Sequence, residues 1–215
     1  MRLVDTAVEL MTVLDAESVY KFIEQCGRVA YKSEARITED SAIPFIRSLI
    51  KRGHESVLEH VSLTFRITTD RATANALVRH RVASYTQEST IYCDYGKEGS
   101  INVREPSFIK DEHIRNIWTE AVKMSELYYT HLRSLGLSPG EARDVLPNAL
   151  KTELIMTTNI REWRHVIRQR MVPGDSHGMH YVIAHLYSIL KFQYPVLFED
   201  IEDNGVLEEA MKHGS

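Results

Sequence analysis

The segment VSLTFRIT, residues 61–68, alternates strictly between apolar and polar side chains. Every odd-numbered position is apolar and every even-numbered position is hydrophilic. Because successive side chains of a strand point to opposite faces, this pattern predicts a β-strand with one face on a hydrophobic core and one polar face. The segment is the clearest strand in the chain, and the rest of the fold must accommodate it.

Helical patterns surround this strand. Asp15 is predicted to cap a helix that runs to about Ala30, and Thr38 to open a second helix that stops at Gly53. The predicted inward stripes of these two helices are Val19, Phe22, Ile23, Cys26 and Val29 in the first, and Ile43, Phe45, Ile46, Leu49 and Ile50 in the second.

The remaining pattern is mostly helical too. In chain order it predicts a short helix from Asp70 to about Arg81, a loop at SYTQES, a long helix over roughly Asp111 to Ser134, a short helix after Ser138 and Pro139, a strand at LKTELIMTT, a helix from Asn159 to about Arg170, and a last helix from Asp175 to about Tyr194. Helices with a few strands between them indicate a mixed α/β (α+β) fold, in which helices surround a small, partly antiparallel sheet. The 215 residues suit a single domain spanning 1–215.

Composition excludes several classes of protein. No apolar run is long enough to cross a membrane, and the N-terminus carries Asp5 and Glu9, unlike a signal peptide. Cys26 and Cys93 provide neither a disulfide framework nor a zinc-ligand spacing, so a cytoplasmic location is expected. The formal net charge is -4, which does not favour nucleic-acid binding.

The stretch RHRVASYTQES, which begins at Arg79, concentrates cations and hydroxyl groups in this acidic chain. A local cationic cluster favours a small anionic ligand such as a phosphate. The alternative is a solvated helix end, whose arginines interact with the helix dipole. In the predicted helix, Arg79 shares a face with the small or polar residues Ala72, Asn75 and Ala76, where a ligand or another backbone could approach.

The segment NIREWRHVIRQR, residues 159–170, predicts an amphipathic helix at about 100° per residue. Its polar face carries Arg161, Arg164, His165 and Arg168, and its apolar face carries Ile160, Trp163, Val166 and Ile167. Arg170 falls within the apolar face. It therefore needs an acidic partner or an anionic or carbonyl-rich ligand, unless it lies in the frayed last turn and reaches solvent.

Histidines raise the question of a metal site. His54 and His60 flank a turn, and His177 and His180 are three residues apart on a predicted helix. Two histidines at this spacing can share a metal, but no third ligand follows at a familiar spacing. We therefore predict no metal.

Taken together, these segments resemble the flavin-dependent thymidylate synthases. The family motif is RHR, two residues, Ser, four residues, Ser, one residue and Arg, and here it reads RHRVASYTQESTI. The segments RGHESVLEH, EARDVLP and TNIREWRHVIRQR followed by DSH match further parts of the family in the same order. The resemblance extends along nearly the whole chain.

This resemblance implies a thymidylate synthase-complementing protein-like fold and a homotetramer with active sites shared between subunits. It implies that FAD binds together with dUMP, that methylenetetrahydrofolate supplies the one-carbon unit, and that NADPH is the reductant. The reaction would methylate C5 of dUMP to give dTMP. These partners are small molecules, so neither a nucleic acid nor a membrane is expected.

The resemblance also assigns residues by position. Those expected on the flavin side are Ser56, Arg79, His80, Arg81, Gln87, Asn159, Arg161 and His165, with His54 near the flavin and folate. Those expected on the nucleotide side are Ala76, Leu77, Val78, Arg79, Gln87, Glu88, Ser89, Thr90, Ile91, Arg143 and Arg170. Arg170 matches the arginine expected to polarise the uracil, and it is the predicted catalytic residue. Ser89 is interpreted as a phosphate-side hydroxyl, since no base lies beside it in sequence.

Two positions depart from the family pattern. Ile91 stands where the motif has arginine, and Ala76 stands where the family usually has Gln or Glu. Lys97 or Arg104 could compensate for the missing arginine. Two alternatives therefore stay open, an enzyme that alkylates C5 of another uridine nucleotide and a flavin- or nucleotide-binding protein without catalysis.

Overall fold

A four-stranded sheet organises the structure, which is a computed structural model that describes residues 1–97 and 100–212. The strands follow the spatial order β2 (Ala7–Leu10), β3 (Ser62–Asp70), β6 (Lys151–Asn159) and β4 (Ser84–Gln87), and each neighbouring pair is antiparallel. Two short strands, β1 (Arg2–Leu3) and β5 (Asn102–Val103), form a separate parallel pair. The predicted mixed fold with a small, partly antiparallel sheet is confirmed.

Helices pack around this sheet. They are α1 (Ala16–Val29), α2 (Ala42–Lys51), α3 (Arg71–Leu77), α4 (Glu112–Ser134), α5 (Pro139–Ala142), α6 (Ile160–Arg170), α7 (His177–Gln193), α8 (Pro195–Phe198) and α9 (Val206–Lys212), with 3-10 helices at Glu34–Arg36, Glu55–His60 and Arg143–Val145. In the part of the chain that the structure describes, no helix combines the length and the apolar character needed to cross a membrane.

The central strand pair, β3 and β6, provides the surface on which helix α6 packs. β3 and β6 pair over nine residues, from Ser62 opposite Asn159 to Asp70 opposite Lys151. Leu63, Phe65 and Ile67 are fully buried, as the alternation predicts. The ring of Trp163 on α6 packs edge-on against Phe65 at 5.0 Å between centroids, and its Nε1 donates to the Leu63 carbonyl at 3.2 Å. Helix α6 is therefore fixed directly on the sheet.

Side-chain caps begin the helices at the predicted residues. Asp15, Asp70, Asp111, Ser138 and Asn159 each accept a hydrogen bond from the backbone N–H three residues later. Such caps satisfy a donor that the first helical turn leaves without a partner. Local capping chemistry therefore suffices to place five helix starts.

The prediction for residues 70–89 was wrong at two points. Helix α3 ends at Leu77 rather than near Arg81, so Arg79 lies beyond the helix and not on its face. The segment SYTQES contains strand β4 rather than only a loop. Both differences depend on Tyr85, whose hydroxyl donates to the carbonyls of Leu77 at 3.0 Å and His80 at 2.7 Å. These contacts turn the chain after α3 and align β4 beside β6.

Some predicted core residues of the first two helices are exposed. Phe22, Val29 and Ile43 retain 46%, 53% and 39% of their accessible surface. The buried face of α1 is instead formed by Val19, Tyr20, Ile23, Glu24 and Gly27. A Cβ at Gly27 would lie only 2.7 Å from the Phe45 ring, so close helix packing rotates the contact toward the small residue.

Several helix boundaries differ from the prediction. The second helix begins at Ala42, because the Thr38 N–H donates to Ser41 Oγ in a turn that precedes the helix. Helix α7 begins at His177 with Ser176 as its cap, and it is not the last helix. The short helices α8 and α9 follow it. Such short elements carry little periodicity for sequence analysis to use.

Candidate active site

Arg170 lies at the C-terminal end of α6 and contacts three different parts of the chain. Its Nε donates to His80 Nε2 at 3.0 Å, its Nη2 donates to the Ala76 carbonyl at 3.2 Å, and its Nη1 pairs with Asp175 at 3.3 Å. The side chain is about four-fifths buried. The expectation that this arginine needs an acidic or carbonyl partner is met inside the chain, by Asp175 and the Ala76 carbonyl.

The imidazole of His80 is buried beneath the turn that follows α3. Burial, together with the positive charge of Arg170 and the nearby ring of His165, lowers the pKa of His80 to about 4. The ring is therefore neutral near pH 7. Because Nε2 accepts the hydrogen bond from Arg170, the remaining proton resides on Nδ1.

A cleft of about 480 Å³ opens beside His80, at the junction of β6 and α6. Its lining residues are Glu55, Glu59, Val82, Asn159, Arg161, Glu162, His165 and Arg168. Asn159 is both the last residue of β6 and the cap of α6, because its Oδ1 accepts from the Glu162 N–H at 2.9 Å. The His80 and His165 rings meet edge to face at 6.3 Å.

The cleft fits the group expected on the flavin side. Its volume is that of a small-molecule site, and it offers amide, imidazole and guanidinium groups to a heterocycle rich in carbonyls and ring nitrogens. Glu55, Glu59 and Glu162 also line it, and Arg161 and Arg168 pair with Glu59 and Glu55 respectively. The structure brings together Asn159, Arg161 and His165, with His80 next to them. His54 and Ser56 flank Glu55, which lines the cleft, whereas Arg79 and Arg81 are exposed and do not line it.

Arg164 is the residue that the helical pattern misplaced. Its predicted place was the polar face, but its side chain is fully buried. Its guanidinium pairs with Asp200 at 2.8 Å and with Glu55 at 3.1 Å. The physical reason is that the segment after α8 crosses α6 and supplies Asp200, which no local pattern in the helix reveals. Arg168, which is partly exposed, contacts the same two carboxylates at 2.8 and 3.3 Å.

This ion-pair network anchors the segment that carries His54 and Ser56. Glu55 lies between those two residues and is held by Arg164 and Arg168. Burial opposes ionisation of Asp200, but hydrogen bonds from Arg164 and the charges of both arginines hold the pKa of that carboxyl below its usual range. Glu55, Arg164 and Asp200 thus form part of the candidate site, and sequence analysis did not assign them to it.

The other predicted nucleotide residues gather at the far end of β4. Gln87 Nε2 donates to Thr152 Oγ1 at 3.2 Å, and Arg143 Nη1 donates to Thr90 Oγ1 at 3.3 Å. Ser89 Oγ accepts from the Ile91 N–H at 3.2 Å. These contacts shape a compact loop from residue 87 to 91, with a guanidinium beside it.

The side chain of Glu88 is occupied within the protein. Its carboxylate accepts from the Tyr95 hydroxyl at 2.7 Å and pairs with Lys151 at 3.0 Å. The backbone N–H of Glu153 donates to the same carboxylate at 3.2 Å. Glu88 therefore holds the loop against β6 through its side chain, although its position was predicted to contact the nucleotide.

The predicted residues form two groups within one chain. Gln87 lies opposite Leu154, and Leu154 is five residues before Asn159 on β6. At the rise of a strand, this places the Gln87 end about 17 Å from the cleft. Arg170 and Ala76 lie with the His80 group, whereas Arg143 and Ser89 lie with the other. One chain does not bring all nucleotide-side residues to one point.

The structure shows what surrounds Ile91 and Ala76, the two positions that depart from the family motif. Ile91 packs against α5, because a Cβ at Gly140 would lie 3.4 Å from its Cγ2, yet 47% of its surface is exposed. Arg104 does not replace the missing arginine, since it is buried against Asp70 and Thr6. Ala76 offers Arg170 its carbonyl rather than a side chain.

One group of three potential metal ligands comes together among the described residues. His80, Glu162 and His165 each offer a ligand atom, and these atoms lie within 4.8 Å of one another. However, Nε2 of His80 accepts from Arg170 and Nδ1 carries the proton, so neither nitrogen offers a lone pair while that bond persists. The neighbouring guanidinium also repels a cation. The pattern at His177 and His180 does not form such a group with the other described residues.

Comparison with known proteins gives a consistent result. The family model described as thymidylate synthase complementing protein matches residues 12–196. A protein of Geobacter sulfurreducens named flavin-dependent thymidylate synthase is 32% identical over 77% of this chain and 72% of its own length. A protein of the same name from Mycobacterium sp. (strain JLS) is 32% identical over 87% of this chain and 82% of its own.

A solved structure shares the fold. The crystal structure of the UMP/dUMP methylase PolB from Streptomyces cacaoi, bound with 5-Br dUMP, matches with a TM-score of 0.78. It covers 96% of this chain and 99% of that chain at 24% sequence identity. At this level of identity the likeness concerns the arrangement of helices and strands.

Proposed function

Since the chain belongs to the thymidylate synthase complementing protein family, whose relatives are named flavin-dependent thymidylate synthases, we propose that it methylates C5 of dUMP to give dTMP. Membership makes the chain an enzyme of the methyltransferase class. The proposed cofactor is FAD, and methylenetetrahydrofolate and NADPH are the proposed co-substrates. The observation that carries the proposal is the fixed guanidinium of Arg170 between the cleft and the end of α3.

The chemistry explains why this guanidinium matters. C5 of uracil becomes nucleophilic when negative charge builds on the ring carbonyls and N3, and a fixed guanidinium at that edge stabilises the charge as it develops. Arg170 uses three of its five N–H groups on His80, Ala76 and Asp175, which leaves two for a ligand carbonyl. Bound reduced flavin would supply hydride, so the protein mainly binds, orients and polarises.

We further propose a homotetramer with shared sites. Two observations support it. The nucleotide-side residues are split along β4, so a site that contains both Arg170 and Arg143 needs contributions from more than one chain. Helix α4 also carries an exposed apolar stripe at Ile114, Ile117, Ala121, Met124 and Tyr128, and the alternating spacing of three and four residues is typical of helix–helix seams. The proposed occupant of this stripe is a second copy of the chain.

A cytoplasmic location is part of the same proposal. Cys26 and Cys93 are both free thiols, and a reducing compartment suits them.

A related uridine nucleotide is the second candidate substrate. Ile91 cannot donate a hydrogen bond where the family motif has arginine, and Ala76 lacks the usual polar side chain. Both departures concern the nucleotide side, whereas the cleft keeps its polar lining. The fold is also that of a methylase whose described substrates include UMP. The two candidates differ only in the nucleotide.

One experiment tests the function and separates the candidates. The purified protein is examined for bound FAD by its absorbance, then incubated with methylenetetrahydrofolate, NADPH and either dUMP or UMP, and products are identified by mass. Arg170→Lys is the matched control, because it keeps the charge and loses the planar fork. We expect bound FAD in both forms, dTMP from the wild type, and turnover about 10²- to 10³-fold lower in the variant. Absence of FAD binding would refute the proposal, and methylated UMP with unchanged dUMP would favour the second candidate.

A further inference from the structure

We propose that His80 is a positioning residue for Arg170. Through this pair, the cleft at Asn159 is coupled to Ala76, a residue expected on the nucleotide side. The inference rests on the proposed function only for its effect on turnover. The contact itself is independent of any substrate, since His80 Nε2 accepts from Arg170 Nε at 3.0 Å. His80 would then act through Arg170, in addition to the flavin-side place that the sequence motif suggests.

The imidazole is held in place before any ligand binds. The ring is buried, and the backbone of its turn is fastened by the Tyr85 hydroxyl, which donates to the His80 carbonyl at 2.7 Å and to the Leu77 carbonyl at 3.0 Å. A fixed acceptor restricts the side-chain torsions of the arginine that donates to it. The Ala76 carbonyl, one turn earlier, fixes the far nitrogen Nη2. Together these acceptors set the plane of the guanidinium.

The same bond sets the tautomer of His80. With Nε2 as the acceptor, Nδ1 carries a proton. His165 lies edge to face with the ring, and Glu162 belongs to the same close group. His80 therefore carries an N–H donor near Glu162 and His165, and Arg170 keeps two N–H groups that these contacts do not use. A structural change near the cleft or near Ala76 is transmitted through the hydrogen bond between His80 and Arg170.

Asp175 completes the arrangement from the opposite direction. Its Oδ2 accepts from Arg170 Nη1 at 3.3 Å, and its Oδ1 accepts from the Ser176 N–H at 2.7 Å. Ser176 caps α7, so the guanidinium is tied to that helix as well. The charged and titratable groups that face His80 are thus Arg170, His165 and Glu162 on α6, and Asp175 on the segment after it.

Two variants of His80 test whether its acceptor nitrogen is what matters to Arg170. His80→Gln keeps an acceptor near the position of Nε2, whereas His80→Leu removes it and fills the space. We expect His80→Leu to lower kcat about 10- to 100-fold, the effect of losing one hydrogen bond to a charged group. The Kd for FAD should rise by a smaller factor than kcat falls, and the KM for the nucleotide should change less than threefold. His80→Gln should restore most of kcat.

Coupling between the two residues provides the decisive comparison. In the Arg170→Lys background, His80→Leu should cause little further loss, because the two residues act as one unit. Independent effects that multiply would overturn the proposal. An FAD Kd that rises as much as kcat falls would also overturn it, since His80 would then act as a flavin ligand alone.

A measurement without turnover distinguishes failure of this inference from failure of the proposed function. In protein labelled with ¹⁵N-arginine, the Nε–H of Arg170 should exchange slowly with solvent in the wild type and in His80→Gln, and at least tenfold faster in His80→Leu. Arg168, which pairs with Glu55 and Asp200, serves as the internal control. Unchanged exchange at Arg170 in His80→Leu would overturn the inference whichever nucleotide the enzyme methylates. If His80→Leu does not fold, Asp175→Asn is measured in its place. We expect the Arg170 Nε–H to stay protected in Asp175→Asn, because His80 still accepts from it. Loss of that protection would overturn the inference.

Discussion

Single residues at this site act through a neighbour. Arg170 owes its orientation to His80, Ala76 and Asp175, and Glu55 is held by Arg164. Apart from Asp175, which is five residues from Arg170, the partners in these contacts are far apart in sequence. Sequence analysis therefore identifies the chemically unusual residue, such as an arginine on an apolar face, but not the group that stabilises it.

Ile91→Arg tests the clearest departure from the family motif. Ile91 is about half exposed and packs on Gly140, so a longer side chain can extend from the loop beside Arg143. An added charged hydrogen bond is worth about 1.5–3 kcal/mol. We expect dUMP to bind about ten- to a hundredfold more tightly by calorimetry.

The matched control is Tyr92→Arg, which adds the same charge at the next, more exposed position. It should change dUMP affinity little. Equal affinity gains in both variants would show a general charge effect, and no gain in Ile91→Arg would mean that the pocket is built around isoleucine. Titration with UMP would then identify which nucleotide it accepts.

At the scale of elements, helix α4 has two apolar faces. One face packs inside the chain through Val122 and Tyr129, and the other is the exposed stripe proposed to meet a second copy. The helix has 23 residues and is about 34 Å long, enough for several turns of contact. Its charge and length were visible in the sequence, whereas the exposure of the stripe was not.

Met124→Glu tests this interface. A charge at the centre of the stripe would be desolvated on association, so we expect the tetramer to dissociate to smaller species in light scattering at micromolar concentration. Thr130→Glu is the control, because it adds the same charge to an exposed position of α4 outside the stripe. A tetramer that persists in Met124→Glu would place the interface elsewhere.

Elements with a strong local signal were predicted and others were not. The strand of residues 61–68 and the capped helices follow from alternation and from capping side chains, which act over a few residues. Strand β4 was missed because SYTQ carries no apolar alternation, and its pairing with β6 depends on residues about 70 positions away. The site followed the same rule: the Asn159, Arg161 and His165 group was predicted, and the Arg164, Glu55 and Asp200 network was not.

At the scale of the whole molecule, the C-terminal segment closes over α6. Asp200 pairs with Arg164 and Arg168, and the Tyr187 hydroxyl donates to the Ile201 carbonyl at 2.5 Å. Asn204 adds a hydrogen bond to the Met171 carbonyl at 3.0 Å. The stability of the cleft region therefore depends on residues near the end of the chain.

This closure predicts a stability that depends on pH. The pKa of Asp200 is lower in the folded state than in the unfolded state, so its contribution is present above the unfolded pKa near 4 and is lost as pH falls through the folded pKa. Asp200→Asn should lower the free energy of unfolding at pH 7 by about 1–2 kcal/mol, a figure reduced because Asp200 is partly exposed.

Urea unfolding at pH 7 and below pH 4 measures this effect. The difference between wild type and Asp200→Asn should shrink as the pH falls. Glu202→Gln, an exposed neighbour on the same segment, is the control and should change stability by less than about 0.5 kcal/mol. A constant difference at all pH values would show that Asp200 contributes by packing rather than by charge.

The pairing of β3 with β6 has a consequence for how the chain folds. The two strands are separated by residues 71–150, so 80 residues must be synthesised and closed into a loop before the central ladder can form. Contacts of such long sequence separation slow folding, because loop closure precedes any gain from pairing. During synthesis, β3 is complete well before β6, its central pairing partner. The motif at Arg79 and the loop at Ser89 lie within residues 71–150, so we expect both to become ordered only once β3 and β6 pair.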